Sequence, residues 1–336
     1  MRRLVAPIGT ALLTATLLLG TATVPARADG GAGGRDPGTG CVTVIDPPPT
    51  TSFGAFGISD GPGGVWFSHG TTVDRVVGQH IVQYPVPDTA TARIGTLAGR
   101  PGGPVWFADQ GNNRIGAIDI RGVVRTYDIP HQSGTVAIAQ GIVIGPGRDV
   151  WFTDQVGGTI DRLDTRTASF DIHPVPTPNS GPLGMTRGAD GALWFVERLA
   201  DKVGRLDRDG TFTEWPLRSG AFPNRITVGP DRAIWFTELN AGLFGRIDRT
   251  GQLTEYPITG GPVGITTGPG PYLYVSLYTD HALAQVDTSG AVTARWDLPG
   301  AAGPTQAASI DNAIWVTDFT SDLVYRVRPH CQAPTR

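Results

Sequence analysis

Apolar positions along this chain come in short runs of five or six residues, broken by clusters of Gly, Pro, Asp and Asn. One such run returns seven times: GPGGVWFS (61–68), RPGGPVWFAD (100–109), GPGRDVWFTD (145–154), GADGALWFVE (188–197), GPDRAIWFTE (229–238), GPGPYLYVS (268–276) and DNAIWVTD (311–318). The anchoring aromatics are Trp66, Trp106, Trp151, Trp194, Trp235, Tyr274 and Trp315, spaced 40, 45, 43, 41, 39 and 41 residues apart. Runs this short, rich in aromatic and β-branched residues and bounded by turn formers, predict strands. In the fourth repeat four strands can be read, Leu183–Arg187, Ala192–Glu197, Val203–Asp207 and Thr211–Pro216, with Ala-Asp-Gly and Asp-Arg-Asp-Gly at the turns. Seven strand-built repeats of about forty residues predict a propeller rather than a helical solenoid.

The third strand returns as Arg162-Leu163-Asp164, Arg205-Leu206-Asp207 and Arg246-Ile247-Asp248. The fourth returns as Thr213-Glu214-Trp215-Pro216 and Thr254-Glu255-Tyr256-Pro257, where Pro suits an outer edge. The last repeat runs through a third strand, Leu323–Arg328, and its fourth can come from Val42–Ile45. The expected fold is all-β: a seven-bladed β-propeller over 41–331, with four antiparallel strands per blade and the ring closed by the N-terminal strand in the last blade. Counting sixteen residues from the anchor, Trp194 reaches the turn glycine Gly210 and Trp315 reaches Cys331, and Cys41 falls at the same turn from the other side. A Cys41–Cys331 disulfide would lock the ring where the chain ends meet.

Composition sharpens this reading. Of 336 residues, 47 are Gly and 28 Pro, and only 17% are charged, which disfavours long solvent-facing helices. Met1-Arg2-Arg3, the apolar stretch around Ala11–Leu19 and Ala26-Arg27-Ala28 form a signal-peptide pattern over residues 1–28, cleaved after Ala28. The apolar core is too short for a membrane anchor. Removing Arg2, Arg3 and Arg27 would take the formal net charge from −3 to −6, and no basic run argues for a nucleic-acid partner. Residues 29–40 read as a Gly-rich lead-in and 332–336 as a tail. A secreted monomer with one disulfide is the expected state.

The repeated W-F-x-D/E followed by G-R-I/L-D, with intervening G-P-x-G-I-T, resembles the streptogramin lyase (virginiamycin B lyase) family. The stretches that carry it best are Gly181-Pro182-Leu183-Gly184-Met185-Thr186, Leu193-Trp194-Phe195-Val196-Glu197 and Gly261-Pro262-Val263-Gly264-Ile265-Thr266, and the likeness spans Cys41 to Arg328. It implies a seven-bladed propeller that opens the lactone of type B streptogramins by magnesium-dependent elimination. It also implies two catalytic histidines in G/R/E-P-H contexts on the last two blades, and a final-blade glutamate. Here those positions read Pro262-Val263 and Pro304-Thr305, and the acid aligns at Asp318 or, one further on, at Phe319. Neither Val nor Thr exchanges a proton near neutral pH.

Candidate chemistry of the chain's own lies three residues past each anchor, at His69, Asp109, Asp154, Glu197, Glu238, Leu277 and Asp318. Antiparallel neighbours bring these positions to one end of every blade, so repetition would gather a ring of acids near one mouth of the channel. Such a ring could bind a ligand or a hard cation such as magnesium. It could equally be structural, each acid pairing with a third-strand arginine (Arg114, Arg162, Arg205, Arg246, Arg326). His69, which replaces an acid, and Asp318 are the candidate catalytic groups; Asp109, Asp154, Glu197 and Glu238 are the candidate ligand-binding ones. His80, His131, His173, His281 and His330 read as surface residues. The expected function is binding of a small or peptidic ligand at the acid-lined mouth. The alternative is an active lyase or a hydrolase opening a cyclic depsipeptide lactone, with His69 and the carboxylates replacing the missing pair.

Overall fold

A computed structural model of the protein describes residues 40–49, 54–130 and 138–331. The expected signal peptide (1–28), all but the last residue of the lead-in and the tail 332–336 lie outside them, as does His131. The described chain forms seven four-stranded antiparallel sheets. The first strands are Ala55–Gly61, Ile94–Ala98, Ala139–Ile144, Pro182–Arg187, Pro223–Val228, Pro262–Thr267 and Pro304–Ile310, and each contacts the first strand of the next blade, closing a ring around the axis. In the fourth blade the strands lie within a residue of the expected bounds: Pro182–Arg187, Leu193–Glu197, Lys202–Leu206 and Phe212–Pro216.

Alternation of side chains along the second strand explains the Trp-Phe pair. The anchor faces the following blade and the next residue faces the preceding one. Trp66 therefore shares a buried cluster with Phe107, Trp106 with Phe152, Trp194 with Phe236 and Trp315 with Phe67. Within the blade each anchor from the first to the sixth also lies against an outer-strand ring, at centroid distances from 4.8 Å (Trp194–Trp215) to 6.2 Å (Tyr274–Trp296). His173 is one of these partners, 5.4 Å from Trp151. The buried Phe needs space on the third strand, and Gly116, Gly204 and Gly245 supply it, since a Cβ at any of them would collide with the ring of Phe107, Phe195 or Phe236.

A second device joins the blades near the axis. Hydroxyls one position before the ring residue bond the next blade's first strand: Thr153 to the Leu183 carbonyl (2.7 Å), Thr237 to Val263 (2.7 Å), Ser276 to Thr305 (2.9 Å) and Thr317 to Phe56 (2.5 Å). The ring closes through Val42–Ile45, which pairs antiparallel with Leu323–Val327 from Val42 opposite Val327 to Ile45 opposite Val324. Beside it Cys41 and Cys331 are bonded, with Cα atoms 5.2 Å apart and a sequence separation of 290. A loop that long is worth about 5–6 kcal/mol in the chain-entropy account. Reducing agent should therefore lower the melting temperature steeply.

Candidate functional site

The residue three past each anchor ends the second strand and stands opposite the first residue of the first strand, as in Asp109 with Ile94, Glu197 with Pro182 and Asp318 with Pro304. All seven such side chains are therefore at the same end of the propeller. They do not open onto it, because every one is between 0 and 6% exposed. In the aspartate blades backbone N–H groups bond the carboxylate. Asp318 accepts from the N–H groups of Ala302, Gly303, Thr320 and Ser321 at 2.8–3.0 Å. Asp154 takes those of Ile138, Val156 and Gly157, and Asp109 those of Arg93 and Asn112. Each Asp ties the loop entering the first strand to the turn leaving the second.

The glutamate blades differ. One extra methylene carries the carboxylate of Glu197 and of Glu238 past these donors, and none of their four oxygens has a hydrogen-bond partner. Burial pushes both up to about 7, with Glu214 adding to the rise at Glu197 and Glu255 at Glu238.

The expected arginine pairing holds in one blade only. Arg114 reaches Asp109 at 3.0 Å. Arg162 pairs with Asp149 and Asp171, Arg205 with Asp190 and Asp207, and Arg246 with Asp231. Strand register gives the reason: these arginines stand opposite Trp151, Trp194 and Trp235, three residues from the ring position and toward the other end of the blade. Arg326 is opposite Trp315 and lies over its ring at 5.6 Å.

His69 is 1% exposed and bridges two blades. Its Nδ1 meets Asp74 at 3.1 Å and its Nε2 meets Asp322 of the last blade at 2.9 Å. Burial works against its charge, but bonds to Asp322 and Asp74 outweigh it and raise the imidazole to about 9. It is thus an imidazolium at neutral pH, a clasp between carboxylates. Of the other described histidines, His80, His281 and His330 are exposed and His173 is stacked on Trp151. At the two Pro-His positions, Val263 and Thr305 are buried, and their carbonyls accept the interblade hydroxyl bonds.

The more exposed side chains at this end of the propeller come from positions without a repeating chemistry. One residue past the ring the chain reads Gly70, Gln110, Gln155, Arg198, Leu239, Tyr278 and Phe319. Arg225, third in the fifth blade's first strand, has its guanidinium 5.5 Å from the Phe56 ring of the first blade. These blades are not neighbours, so the two side chains meet across the axis. Phe56 also makes an edge-to-face contact with Phe319 at 5.9 Å, and Arg198 lies 4.0 Å over Phe222. Burial lowers Arg198 and Arg225 to about 10, and Arg198's charge adds to the effect at Arg225. Sequence reading missed this set, and the only available signal was the irregularity of its positions.

Magnesium, implied by the family likeness, finds no matching donor set. N–H groups bond at least one oxygen of each ring aspartate. Glu197 and Glu238 are enclosed in separate blades, and among the described residues no group of three His, Cys, Asp or Glu could hold a metal ion.

Comparison with known proteins agrees with this architecture. The sequence profile described as the virginiamycin B lyase family matches residues 134–334. A virginiamycin B lyase of Nocardia farcinica is 58% identical over 43 residues, 13% of this chain and 15% of that relative's length. The solved virginiamycin B lyase of Staphylococcus aureus superposes with a TM-score of 0.78 at 26% identity, covering 85% of this chain and 98% of that one. The same figures hold for a catalytically inactive histidine-to-alanine variant of that enzyme solved with quinupristin. With the profile covering well over half of its length and the seven blades in place, this chain belongs to the virginiamycin B lyase family.

Proposed function

We propose that the protein is an exported, ligand-binding member of this family that takes a small or peptidic ligand at the channel mouth and does not perform the histidine-driven elimination. The observation that carries this reading is the chemistry at the two Pro-His positions, where Val263 and Thr305 leave no proton carrier. In the staphylococcal relative, a single histidine-to-alanine change accompanies catalytic inactivity. The groups that could stand in are engaged elsewhere. His69 is held as an imidazolium by Asp74 and Asp322, and Asp318 is filled by four backbone donors. Export is supported by the Cys41–Cys331 bond, which persists in an oxidising compartment. Secreted protein should begin at Asp29, a point that intact mass would check.

The test is to incubate the secreted protein with magnesium and a cyclic type B streptogramin, and to follow the antibiotic by chromatography and mass spectrometry. Recovery of unchanged antibiotic is expected. A retention shift at unchanged mass means elimination and contradicts the reading, and gain of one water means hydrolysis and contradicts it equally.

A further inference from the structure

Arg198 and Arg225, like Arg326, lie against an aromatic ring with a buried Nε that has no acceptor, unlike the four third-strand arginines held by carboxylates. Arg114, Arg162, Arg205 and Arg246 are all neutralised by carboxylates at 2.7–3.0 Å. Among the described residues neither mouth arginine has such a partner, and the Nε of each is buried without an acceptor. The Arg225 guanidinium bonds the neutral Asn224, through Nη1 to its carbonyl and Oδ1. The charge that acts on it is the like charge of Arg198. Two like charges close enough to act on one another in a partly desolvated setting repel, and folding alone gives no reason to keep them.

The surroundings are also one-sided in donors. Gln306 is third in the seventh blade's first strand, as Arg225 is in the fifth, and its Nε2 is buried without a partner. So is the hydroxyl of Ser321, in the turn at that end of the same blade. The inner-strand row that holds Arg225 and Gln306 has Gly57, Gly141, Gly184 and Gly264 in four other blades. At each of these a Cβ would collide with the neighbouring blade's backbone. Long polar side chains at two positions of a row otherwise dominated by glycine place donors where packing alone would not. Beside them Phe56 and Phe319 are only half-buried and present an aromatic corner.

We propose that Arg198 and Arg225 form an oxyanion-binding subsite of the channel mouth, taking a carboxylate or phosphate group on a small ligand whose planar or apolar body rests against Phe56 and Phe319. Planar guanidiniums give paired, charge-assisted bonds to either oxyanion, and the stacked rings hold their orientation. The assignment rests on the reading of the mouth as the ligand site and adds the ligand's charge to it.

Calorimetric titration of the secreted protein with phenylacetate, phenyl phosphate and the neutral phenylacetamide tests it. At least one of the two anions should bind tenfold or more tightly than the amide, which of them does so telling carboxylate from phosphate. Its affinity should fall with added salt. Arg225→Gln and Arg198→Gln should each lose tenfold or more of that affinity, with the amide unaffected. Neither variant should melt below the parent, since each removes an unpaired charge. Anion and amide binding equally well overturns the oxyanion assignment alone and leaves the mouth as a ligand site. Failure of all three probes to bind, anion binding unchanged in both variants, or a melting temperature many degrees lower in either, also overturns it.

Discussion

Asp318 and Glu238 occupy the same position in the repeat, three past the anchor and fully buried, yet they do different things. The shorter side chain caps four backbone N–H groups, and the longer one accepts no hydrogen bond at all. A regular column in a repeat protein is thus no guarantee of a regular role. One methylene decides whether a buried carboxylate holds a loop or is simply uncomfortable.

The comparison can be broken most forcefully at the aspartate. Asp318→Ala would leave four N–H groups near the ring closure without their acceptor, at a cost of about 3–5 kcal/mol, read by denaturant unfolding. Asp74→Asn, which removes one of the two charges holding His69, should cost about 2 kcal/mol and bring the imidazole down toward its ordinary range, visible by NMR titration. The glutamates should respond in the opposite sense. Because the folded chain raises Glu197 and Glu238 from 4.5 to about 7, their contribution to stability is present below about pH 4.5 and lost as pH rises through 7. Glu238→Gln should accordingly leave stability at pH 5 nearly unchanged and raise it at pH 8 by about 1–3 kcal/mol. His69 adds a second loss between about 6.5 and 9, so the parent should melt progressively lower from pH 5 to pH 9. A parent that is most stable near pH 9 would contradict both assignments.

The fold was legible because the Trp-Phe pair is a packing requirement repeated in five of the seven second strands, with Tyr274-Val275 and Trp315-Val316 filling the place in the other two, and period-two alternation converts it directly into blades. The ring disulfide was legible from the same register. The site was not. A ring of acids reads as chemistry in one dimension, whereas in space each Asp is closed off by amides from loops whose conformation no local pattern announces. The arginine pairing failed because Arg162, Arg205 and Arg246 sit across from the anchor rather than across from the acid, a difference of three residues along one strand. Arg198 and Arg225 went unseen because they belong to no motif. They become a pair only when the ring closes and brings Arg225 to Phe56 across the axis.

The claim that the ring is architecture and the irregular positions are the site is tested most directly by comparing Asp154→Ala with Arg225→Gln, measuring melting temperature and phenyl phosphate and phenylacetate binding on both. The account predicts that Asp154→Ala melts well below the parent while its folded fraction binds with unchanged affinity, and that Arg225→Gln melts no lower and binds at least tenfold more weakly. The reverse result, a thermally neutral Asp154→Ala that has lost binding and an Arg225→Gln that binds as the parent does, would contradict it.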